Sequence, residues 1–416
     1  MTAARDGSPP RPQIGLLLAA VFLVFLGQMT LNPVIAPLSR EVGLAEWQVG
    51  VTISTAALMV VLTSQSWGRR SQSWGRKPVL VGALALATTS MALFALVAWS
   101  GTTGAVTGTG LFVLFVLLRG LGFGTAIAAV PPTAQAYVAD VTADERARVK
   151  GMAGIGAVQG VAMVGGSVVG GVLSVFGVLT PLIAVPVLLG AGLVLVATRL
   201  RREPRAELVE EPARVRPTDP RVWPFLLAGF GMFTALGFIQ VITGFLVQDR
   251  LGLSAEATGL VTGGTLLAAG LGMVLAQAVV VPRSGWTAPT LLRVGGSVAL
   301  AGFVLLVPDT GAAAIVVAIL LVGLGLGTAM PGYTAGPTLL VERAEQGGLA
   351  GLTTATSGLT FVIAPTAGTG LYGIWPPLPV LVGAAVMAAV TAFVLLHPRF
   401  RRVPAVPAAD VANEHG

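Results

Sequence analysis

The chain has 416 residues, of which 54% are hydrophobic and only 10% are charged, and its formal net charge is +7. A soluble domain carries roughly 25% charged residues, so this composition excludes most soluble enzymes, nucleic-acid-binding proteins and disordered proteins. An all-α polytopic membrane protein remains. We expect it to lie in the lipid bilayer and not to bind nucleic acid. Because there is no cysteine and the only histidines are His397 and His415, a metal centre built from these residues within the membrane is excluded.

Twelve apolar stretches are long enough to cross a hydrocarbon core of about 30 Å, which takes about 20 helical residues. The stretches are continuous, which favours helices over the alternating strands of a membrane barrel. The predicted spans are 14–38, 48–67, 78–99, 109–137, 151–175, 178–198, 223–247, 257–281, 287–307, 311–341, 347–373 and 376–396.

The basic residues predict the direction of the spans. If the N-terminus is inside, 22 of the 25 Lys and Arg residues fall in cytoplasmic segments, whereas only Arg40 and Arg250 fall outside and Arg119 lies within a span. Because basic residues are retained on the cytoplasmic side, we expect a cytoplasmic N-tail at 1–13 and a cytoplasmic C-tail at 397–416.

A polar segment at 199–222 divides the spans into two halves of six, at 14–198 and 223–396. The sequence Gly-Leu-Gly-Phe-Gly-Thr-Ala at 120–126 recurs as Gly-Leu-Gly-Leu-Gly-Thr-Ala at 323–329, at the corresponding place of the second half. Repeated halves with a site between them are typical of secondary transporters. We therefore predict two six-helix bundles around a central cavity, joined by a cytoplasmic linker.

The loop after the second span reads Gly-Arg-Arg-Ser-Gln-Ser-Trp-Gly-Arg-Lys. It resembles motif A of the major facilitator superfamily, Gly-x-x-x-Asp-Arg-x-Gly-Arg-Lys, with matches at Gly68, Gly75, Arg76 and Lys77. The resemblance implies a cytoplasmic clamp that faces a helix N-terminus of the other half. Since Gln72 replaces the acid, we expect a weaker or rearranged clamp. The alternative is an ordinary basic loop with a tight turn.

Arg119 is a charge deep within a predicted span, about 15 Å from the start of the fourth helix at 1.5 Å per residue. An unpaired charge at this depth is costly, so Arg119 should face a wet cavity or polar partners. It is similar to the arginine of the family's motif B, followed here by Gly122 and Gly124. We expect a role in substrate binding or coupling, and the alternative is a structural arginine bonded to backbone carbonyls.

The fifth span resembles motif C of the family's antiporters, although a serine stands where the motif has proline. The resemblance implies an exporter of the drug:proton antiporter type, and the alternative is ordinary packing of small residues between helices. The small residues that carry the similarity are Gly156, Gly160, Gly166, Ser167, Gly170 and Gly171.

The glycine-rich segments lie inside apolar spans and there is no P-loop Gly-Lys-Ser/Thr, so we predict no nucleotide and no cofactor. In the family, helices 1, 4, 7 and 10 line the central path. Polar residues of the spans are therefore candidates to line a cavity, although each of them can instead bond a neighbouring helix. The candidates are Gln28, Asn32, Gln159, Gln240, Thr243 and Tyr333.

All 18 acidic residues fall in tails, loops or helix ends. Proton-coupled transporters commonly titrate a carboxylate inside the membrane, so the coupling ion stays open, with protons as one candidate. The resemblance covers the whole chain and implies a monomeric, non-enzymatic exporter of the bacterial cytoplasmic membrane. It would move a small organic molecule, such as a drug, antibiotic or siderophore, by alternating access. The alternatives are an uncoupled facilitator or importer, and a sensor or scaffold that transports nothing.

Overall fold

A computed structural model of the chain describes residues 13–31, 34–44, 46–142, 144–203, 209–252, 255–309 and 311–401. Every regular element in these ranges is helical. Ten of the described helices are long and apolar enough to cross a membrane, and Ile14–Thr30 is a shorter apolar helix. The expectation of an all-helical membrane protein is confirmed.

We number the long helices α1 to α12 in chain order. Short helices at Ile35–Glu41 and Pro398–Arg401 follow the first and the last of them. The long helices are α1 Ile14–Thr30, α2 Glu46–Ser73, α3 Arg76–Thr102, α4 Gly108–Val141, α5 Glu145–Ser174, α6 Leu179–Arg199, α7 Trp223–Leu251, α8 255–284, α9 Ala288–Leu306, α10 Ala312–Leu339, α11 Gln346–Ile374 and α12 Leu378–Leu396.

The first predicted span needs correction. A continuous helix was expected over 14–38, but α1 ends at Thr30 and helical structure resumes at Ile35. The sequence between them contains Pro33. Proline has no backbone N–H and disfavours a helical conformation of its predecessor, so a helix that reads as continuous in hydropathy ends before it.

The fourth, eighth and tenth helices are not uniform. A π-helical stretch occupies Val116–Gly122 of α4, and another occupies Ala276–Val280 of α8. The last turn of α10, Gly336–Leu339, is a 3₁₀ turn, because Pro337 cannot donate to an α-helical ladder. The span expected over 311–341 therefore ends earlier as an α-helix. Short π-helical segments often mark functional sites.

The buried apolar side chains form two large clusters. One is built mainly from α1, α3, α4, α5 and α6, and the other from α7, α9, α10 and α12. A third, small cluster buries Val215 and Val222 of the segment between α6 and α7 against Leu226, Leu349 and Leu352. The polar linker is thus anchored to α7 and α11 by apolar contacts.

The loops between α2 and α3, α4 and α5, α6 and α7, α8 and α9, and α10 and α11 all lie at one end of the helix bundle. Most of the Lys and Arg residues lie at this end, which we call the basic end. The candidate site is described from the basic end inward.

Candidate functional site

The loop that resembles motif A joins α2 to α3 at the basic end. Gly75 has a φ of 93°, in the left-handed region that favours glycine, and α3 begins at the next residue, Arg76. Lys77 is half-buried in the first turn of α3. The second glycine of the motif therefore makes the turn.

The first glycine of the motif is the point where α2 meets α11. A Cβ on Gly68 would lie 1.9 Å from the carbonyl oxygen of Gly347, and a Cβ on Gly347 would lie 2.2 Å from the carbonyl oxygen of Gly68. One turn along, a Cβ on Gly351 would lie 2.1 Å from the Cα of Gln65. Any side chain at these glycines would force the helices apart, so the contact is one of backbone against backbone.

Gln72, which replaces the acid of the motif, is buried beside this contact and only 3% exposed. Its Nε2 donates to the backbone carbonyl of Arg343, just before α11, at 2.5 Å. Its Oε1 has no hydrogen-bond partner. The contact that this residue makes with the other half is an amide-to-carbonyl hydrogen bond and not an ion pair.

Arg76 is buried among partners of its own half. Its guanidinium donates to Ser71 and to Asp140 at the end of α4, and its backbone N–H donates to Glu203 at 2.5 Å. The Nε of Arg76 lies 3.8 Å from the Glu203 carboxylate. This charge of the motif therefore ties α2, α3, α4 and the start of the linker together. The two acidic partners were not predicted, since only their position at helix ends marked them.

The linker between α6 and α7 crosses the contact of α2 with α11. Four hydrogen bonds of 2.7 to 3.1 Å join residues 209–215 to these two sides. We call the α2–α11 contact together with 209–215 the glycine gate. The donor and acceptor pairs are Val209 N to Gln72 O, Ala213 N to Ala344 O, Arg69 Nε to Pro212 O, and Gln65 Nε2 to Val215 O.

The end of the linker is held to the second half by an ion cluster. The guanidinium of Arg221 donates to Asp219 at 2.8 Å and to Glu345 at 2.7 Å. The hydrogen bond from Arg221 holds the pKa of Asp219 below its usual value, and the hydrogen bonds to the two acids raise the pKa of Arg221.

A second contact between the halves lies where α5 meets α9 and α10. The carboxylate of Glu145, the first residue of α5, accepts a hydrogen bond of 2.7 Å from the backbone N–H of Ala288, the first residue of α9. A carboxylate is stabilised there by the helix dipole. One turn along, Arg148 donates to the carbonyls of Thr338 at 3.0 Å and of Ala139 at 2.9 Å. We call this the charged gate.

The glycines of α5 serve two neighbouring helices. A Cβ on Gly156 would lie 1.9 Å from Oε1 of Gln277 in α8, and one on Gly160 would lie 2.9 Å from Val274. A Cβ on Gly166 would lie 2.6 Å from a side chain of α1. The similarity to motif C thus coincides with close packing against both halves.

The last part of the motif C-like segment is less constrained. Ser167 is exposed, and its hydroxyl donates to the carbonyl of Met163 in the same helix at 3.0 Å. Gly170 is buried, whereas a Cβ on Gly171 would have no atom within 4 Å. Close packing therefore accounts for the first three glycines better than for this end.

Arg119 lies in the π-helical stretch of α4 and is only 4% exposed. Its guanidinium carbon is 5.0 Å from the ring centre of Phe123, and its Nε has no hydrogen-bond partner. Among the described residues no carboxylate pairs with it. In this conformation the guanidinium packs on an aromatic ring of its own helix.

The cavity candidates differ in exposure. Gln28 of α1 and Gln159 of α5 are half-buried, and Gln240 of α7 is exposed. Thr243 is buried and donates to the carbonyl of Ile239 in its own helix at 2.5 Å. Asn32 lies outside the described residues. The amide groups of the three glutamines are therefore more accessible than the hydroxyl of Thr243, which is bonded within its own helix.

Tyr333 of α10 lies in the large apolar cluster of the second half. It is 1% exposed, and its hydroxyl donates to the carbonyl of Thr353 at 2.9 Å. The hydroxyl of Thr353 in turn donates to Gln135 of α4, in the other half, at 3.1 Å. Tyr333 is therefore a buried packing residue of the second half in this conformation.

Comparison with known proteins decides the family. The sequence matches the family profile of the Major Facilitator Superfamily over residues 17–365. The chain belongs to this superfamily. It is 30% identical over 397 residues to the tetracycline resistance protein, class C, of Escherichia coli, covering 87% of this chain and 93% of that protein. It is 28% identical over 395 residues to the class G protein of Vibrio anguillarum, covering 89% and 93%.

Solved structures agree on the fold. The human organic anion transporter MFSD10 matches with a TM-score of 0.74 at 16% identity, over 93% of this chain and 100% of that one. A bacterial homologue of the iron transporter ferroportin, in an outward-facing state, matches with a TM-score of 0.71 at 15% identity, over 92% and 98%. The chain is therefore a secondary transporter of the superfamily, and the predicted family and class of function are confirmed.

Several features of the site were missed by the sequence analysis. The charge pattern places Glu145 and Arg148 among the charges of loops and helix ends, and it predicts the linker only as a connection between the halves. Gln277, buried against Gly156, was not singled out at all. In the sequence, Gln277 is a single amide side chain near the end of an apolar span. Such a position does not indicate which residues the amide contacts. Among the described residues, no group of three or more His, Cys, Asp or Glu is placed to hold a metal ion.

Proposed function

We propose that this chain exports a small organic molecule across the bacterial cytoplasmic membrane by alternating access. The observation that carries the proposal is the closure of the basic end by two separate gates, each formed between the two halves. A transporter of this type opens and closes such contacts in turn. The two halves are proposed to be 14–198 and 223–396, with the linker between them.

The basic end is proposed to face the cytoplasm, with both termini on that side. The positive-inside rule supports this orientation, because the Lys and Arg residues concentrate at this end. With this orientation, the conformation whose basic end is closed is outward-facing. The matched structure of the ferroportin homologue is also in an outward-facing state. Export is supported by the names of the two bacterial relatives, because a membrane transporter confers resistance by removing the drug.

The proposed substrate is tetracycline or a similar, largely apolar molecule that carries an anionic group. Arg119 supports an anion, since a buried guanidinium that lacks a carboxylate gains free energy from a bound negative charge. Gln28, Gln159 and Gln240 are proposed to supply further polar contacts along the path. Rearrangement of the π-helical stretch would bring Arg119 from the ring of Phe123 toward the substrate.

The test of transport uses inverted membrane vesicles that contain the full chain, with tetracycline as the probe. The pH gradient and the membrane potential are imposed separately. We expect uptake into inverted vesicles that depends on one of these gradients. Uptake confined to right-side-out vesicles would show an importer, and gradient-independent equilibration would show a facilitator. Either result would contradict the proposal.

The role of Arg119 is tested in the same vesicles. We expect Arg119→Ala to abolish transport while expression and insertion are retained, and Arg119→Lys to fail as well if the planar guanidinium is required. Arg283→Gln is the matched control, because Arg283 is an exposed arginine at the basic end. Near-normal transport in Arg119→Ala would remove this residue from the mechanism.

The proposed coupling does not use a carboxylate at mid-membrane, because the described carboxylates lie at helix ends and in loops. Asp140, which pairs with Arg76, is the acid to test first. We expect Asp140→Asn to reduce pH-driven uptake and substrate exchange together, as the loss of a structural pair would. If only the pH-driven uptake is lost, Asp140 is the proton site and this part of the proposal is wrong.

A further inference from the structure

An apolar groove runs between α7 and α12 on the surface of the second half. Its volume is about 450 Å³, and its lining includes Leu227, Phe230, Thr234, Val386, Ala389 and Phe393. The hydroxyl of Thr234 is bonded to the carbonyl of Phe230 in its own helix at 2.7 Å. The groove therefore offers its occupant an apolar wall without free polar groups from these residues.

The position of the groove along the helices matches one leaflet of a bilayer. Its lining begins about 6 Å from the start of α7, at Leu227, and reaches about 16 Å, at Thr234, given a rise of 1.5 Å per residue. Half of a hydrocarbon core of about 30 Å is about 15 Å. With the proposed orientation, the groove spans the acyl region of the cytoplasmic leaflet.

Aromatic and basic groups gather at the mouth of the groove. The ring of Trp223, at the start of α7, lies 5.7 Å from the ring of Phe393 and 5.5 Å from that of His397. Arg399 donates its backbone N–H to Nδ1 of His397 at 3.2 Å and its Nη2 to the carbonyl of Pro220 at 3.3 Å. Indole rings at this level are typical of the membrane interface.

The charge at the mouth is predominantly positive. Arg401 lies in the same short helix as Arg399, and Arg293 of α9 donates to the carbonyl of Phe400 in that helix at 2.7 Å. The nearby acid Asp219 is already paired with Arg221. A guanidinium matches the oxygen atoms of a phosphate, so these groups complement an anionic headgroup.

We propose that this groove binds one anionic phospholipid of the cytoplasmic leaflet, with an acyl chain between α7 and α12 and its phosphate at Arg399 and Trp223. An apolar groove alone accepts a chain of any lipid. The arginines at the mouth provide selection for the charged headgroup, and the indole ring lies beside them. The site lies on the surface of one half, so it is separate from the transport path.

The test is native mass spectrometry of the full chain in detergent, with phosphatidylglycerol and phosphatidylcholine of identical acyl chains in equal amounts. We expect one phosphatidylglycerol to be retained with about tenfold preference over phosphatidylcholine. Arg399→Gln should remove most of this preference. Ala389→Phe, which fills the groove, should reduce retention of both lipids.

Arg283→Gln is the matched control, since Arg283 is exposed at the basic end on α8 and should leave the preference unchanged. Equal retention of the two lipids by the wild-type chain would overturn the proposal. The same holds if Arg283→Gln removes the preference as strongly as Arg399→Gln does. Circular dichroism of each variant shows that its helices are formed, and the conservative Arg399→Gln keeps the test decisive if Ala389→Phe does not fold.

Discussion

The two gates at the basic end join the same halves by different chemistry. In the glycine gate, Gly68 and Gly347 bring two backbones into contact, and the linker adds hydrogen bonds through its main-chain groups. In the charged gate, Glu145 binds the N-terminus of α9 and Arg148 binds carbonyls on both sides. The glycine gate therefore depends on the close fit of two backbones, and the charged gate depends on charged side chains.

This difference determines what each gate tolerates. A contact between backbones depends steeply on side-chain volume, because even one methyl group has no space. A charge at a helix N-terminus tolerates changes of volume but depends on the carboxylate itself. Substitutions that change size or charge alone should therefore separate the two gates.

The distance across the basic end provides a common measurement. The chain has no cysteine, so two introduced cysteines can carry spin labels without background. Ser66 of α2 and Arg283 of α8 are exposed and belong to different halves. A short distance between labels at these positions reports a closed basic end, and a long distance reports an open one.

The largest effect is expected for Gly68→Ala. Its Cβ would lie 1.9 Å from the carbonyl oxygen of Gly347, so α2 and α11 must separate, at a cost of about 3 kcal/mol. We expect the long distance to dominate and transport to be lost. Gly50→Ala in the same helix is the control, since a Cβ there has no atom within 4 Å. A short distance in Gly68→Ala would show that the gate is not closed by backbone contact.

A smaller effect is expected for Glu145→Gln. The change leaves an amide oxygen that can accept from Ala288 but removes its negative charge at the helix N-terminus, which costs about 1.4 kcal/mol while the volume stays the same. The fraction with the long distance should rise by roughly tenfold. Glu41→Gln, at an exposed acid outside both gates, should leave it unchanged. A shift of equal size in both variants would mean that net charge acts, and not the helix N-terminus.

Gln72→Met should have a still smaller effect. It removes the hydrogen bond to the Arg343 carbonyl but also removes an Oε1 that has no partner, so the net change should stay below about 1 kcal/mol. The label distances should therefore remain close to those of the wild-type chain. A shift as large as that of Gly68→Ala would show that the amide, and not the glycines, holds this gate.

The smallest effect is expected for Asp219→Asn. The pKa of Asp219 is lowered by Arg221, so its contribution to stability is full above the unfolded value of about 4 and is lost as the pH falls through the lowered pKa. The variant should melt slightly earlier than the wild type at pH 7 and equally in strong acid. Because this cluster joins the end of the linker to the second half and does not bridge the two halves, the label distance should not change. A changed label distance in Asp219→Asn would show that this ion cluster contributes to the glycine gate.

The sequence predicted the fold better than it predicted the site. Hydropathy located the long helices, because a membrane span requires a continuous apolar run. The break after Thr30 and the π-helical stretch around Arg119 were not predicted, since hydropathy is insensitive to local hydrogen bonding. The twelve-helix fold of the superfamily then follows from the similarity to solved structures.

The motif directed attention to a loop that contacts the other half, but it did not reveal which groups make the contact. Its first glycine, Gly68, contacts α11 of the other half, whereas its buried Arg76 pairs with Asp140 and Glu203 on its own side. The partner of a side chain depends on which distant segments fold against it, and a single sequence does not contain that information. The role of the linker was hidden for the same reason, because its hydrogen bonds use its own main-chain groups, which do not depend on a particular side chain.

The most direct test of the account is the distance between spin labels at Ser66 and Arg283 in the wild-type chain in lipid nanodiscs, measured with and without tetracycline. Alternating access predicts two distances, for closed and open basic ends. Their ratio should change with tetracycline, because a substrate shifts the equilibrium when it binds the two states unequally. A single distance that neither tetracycline nor Gly68→Ala alters would contradict both the gate and the proposed transport cycle.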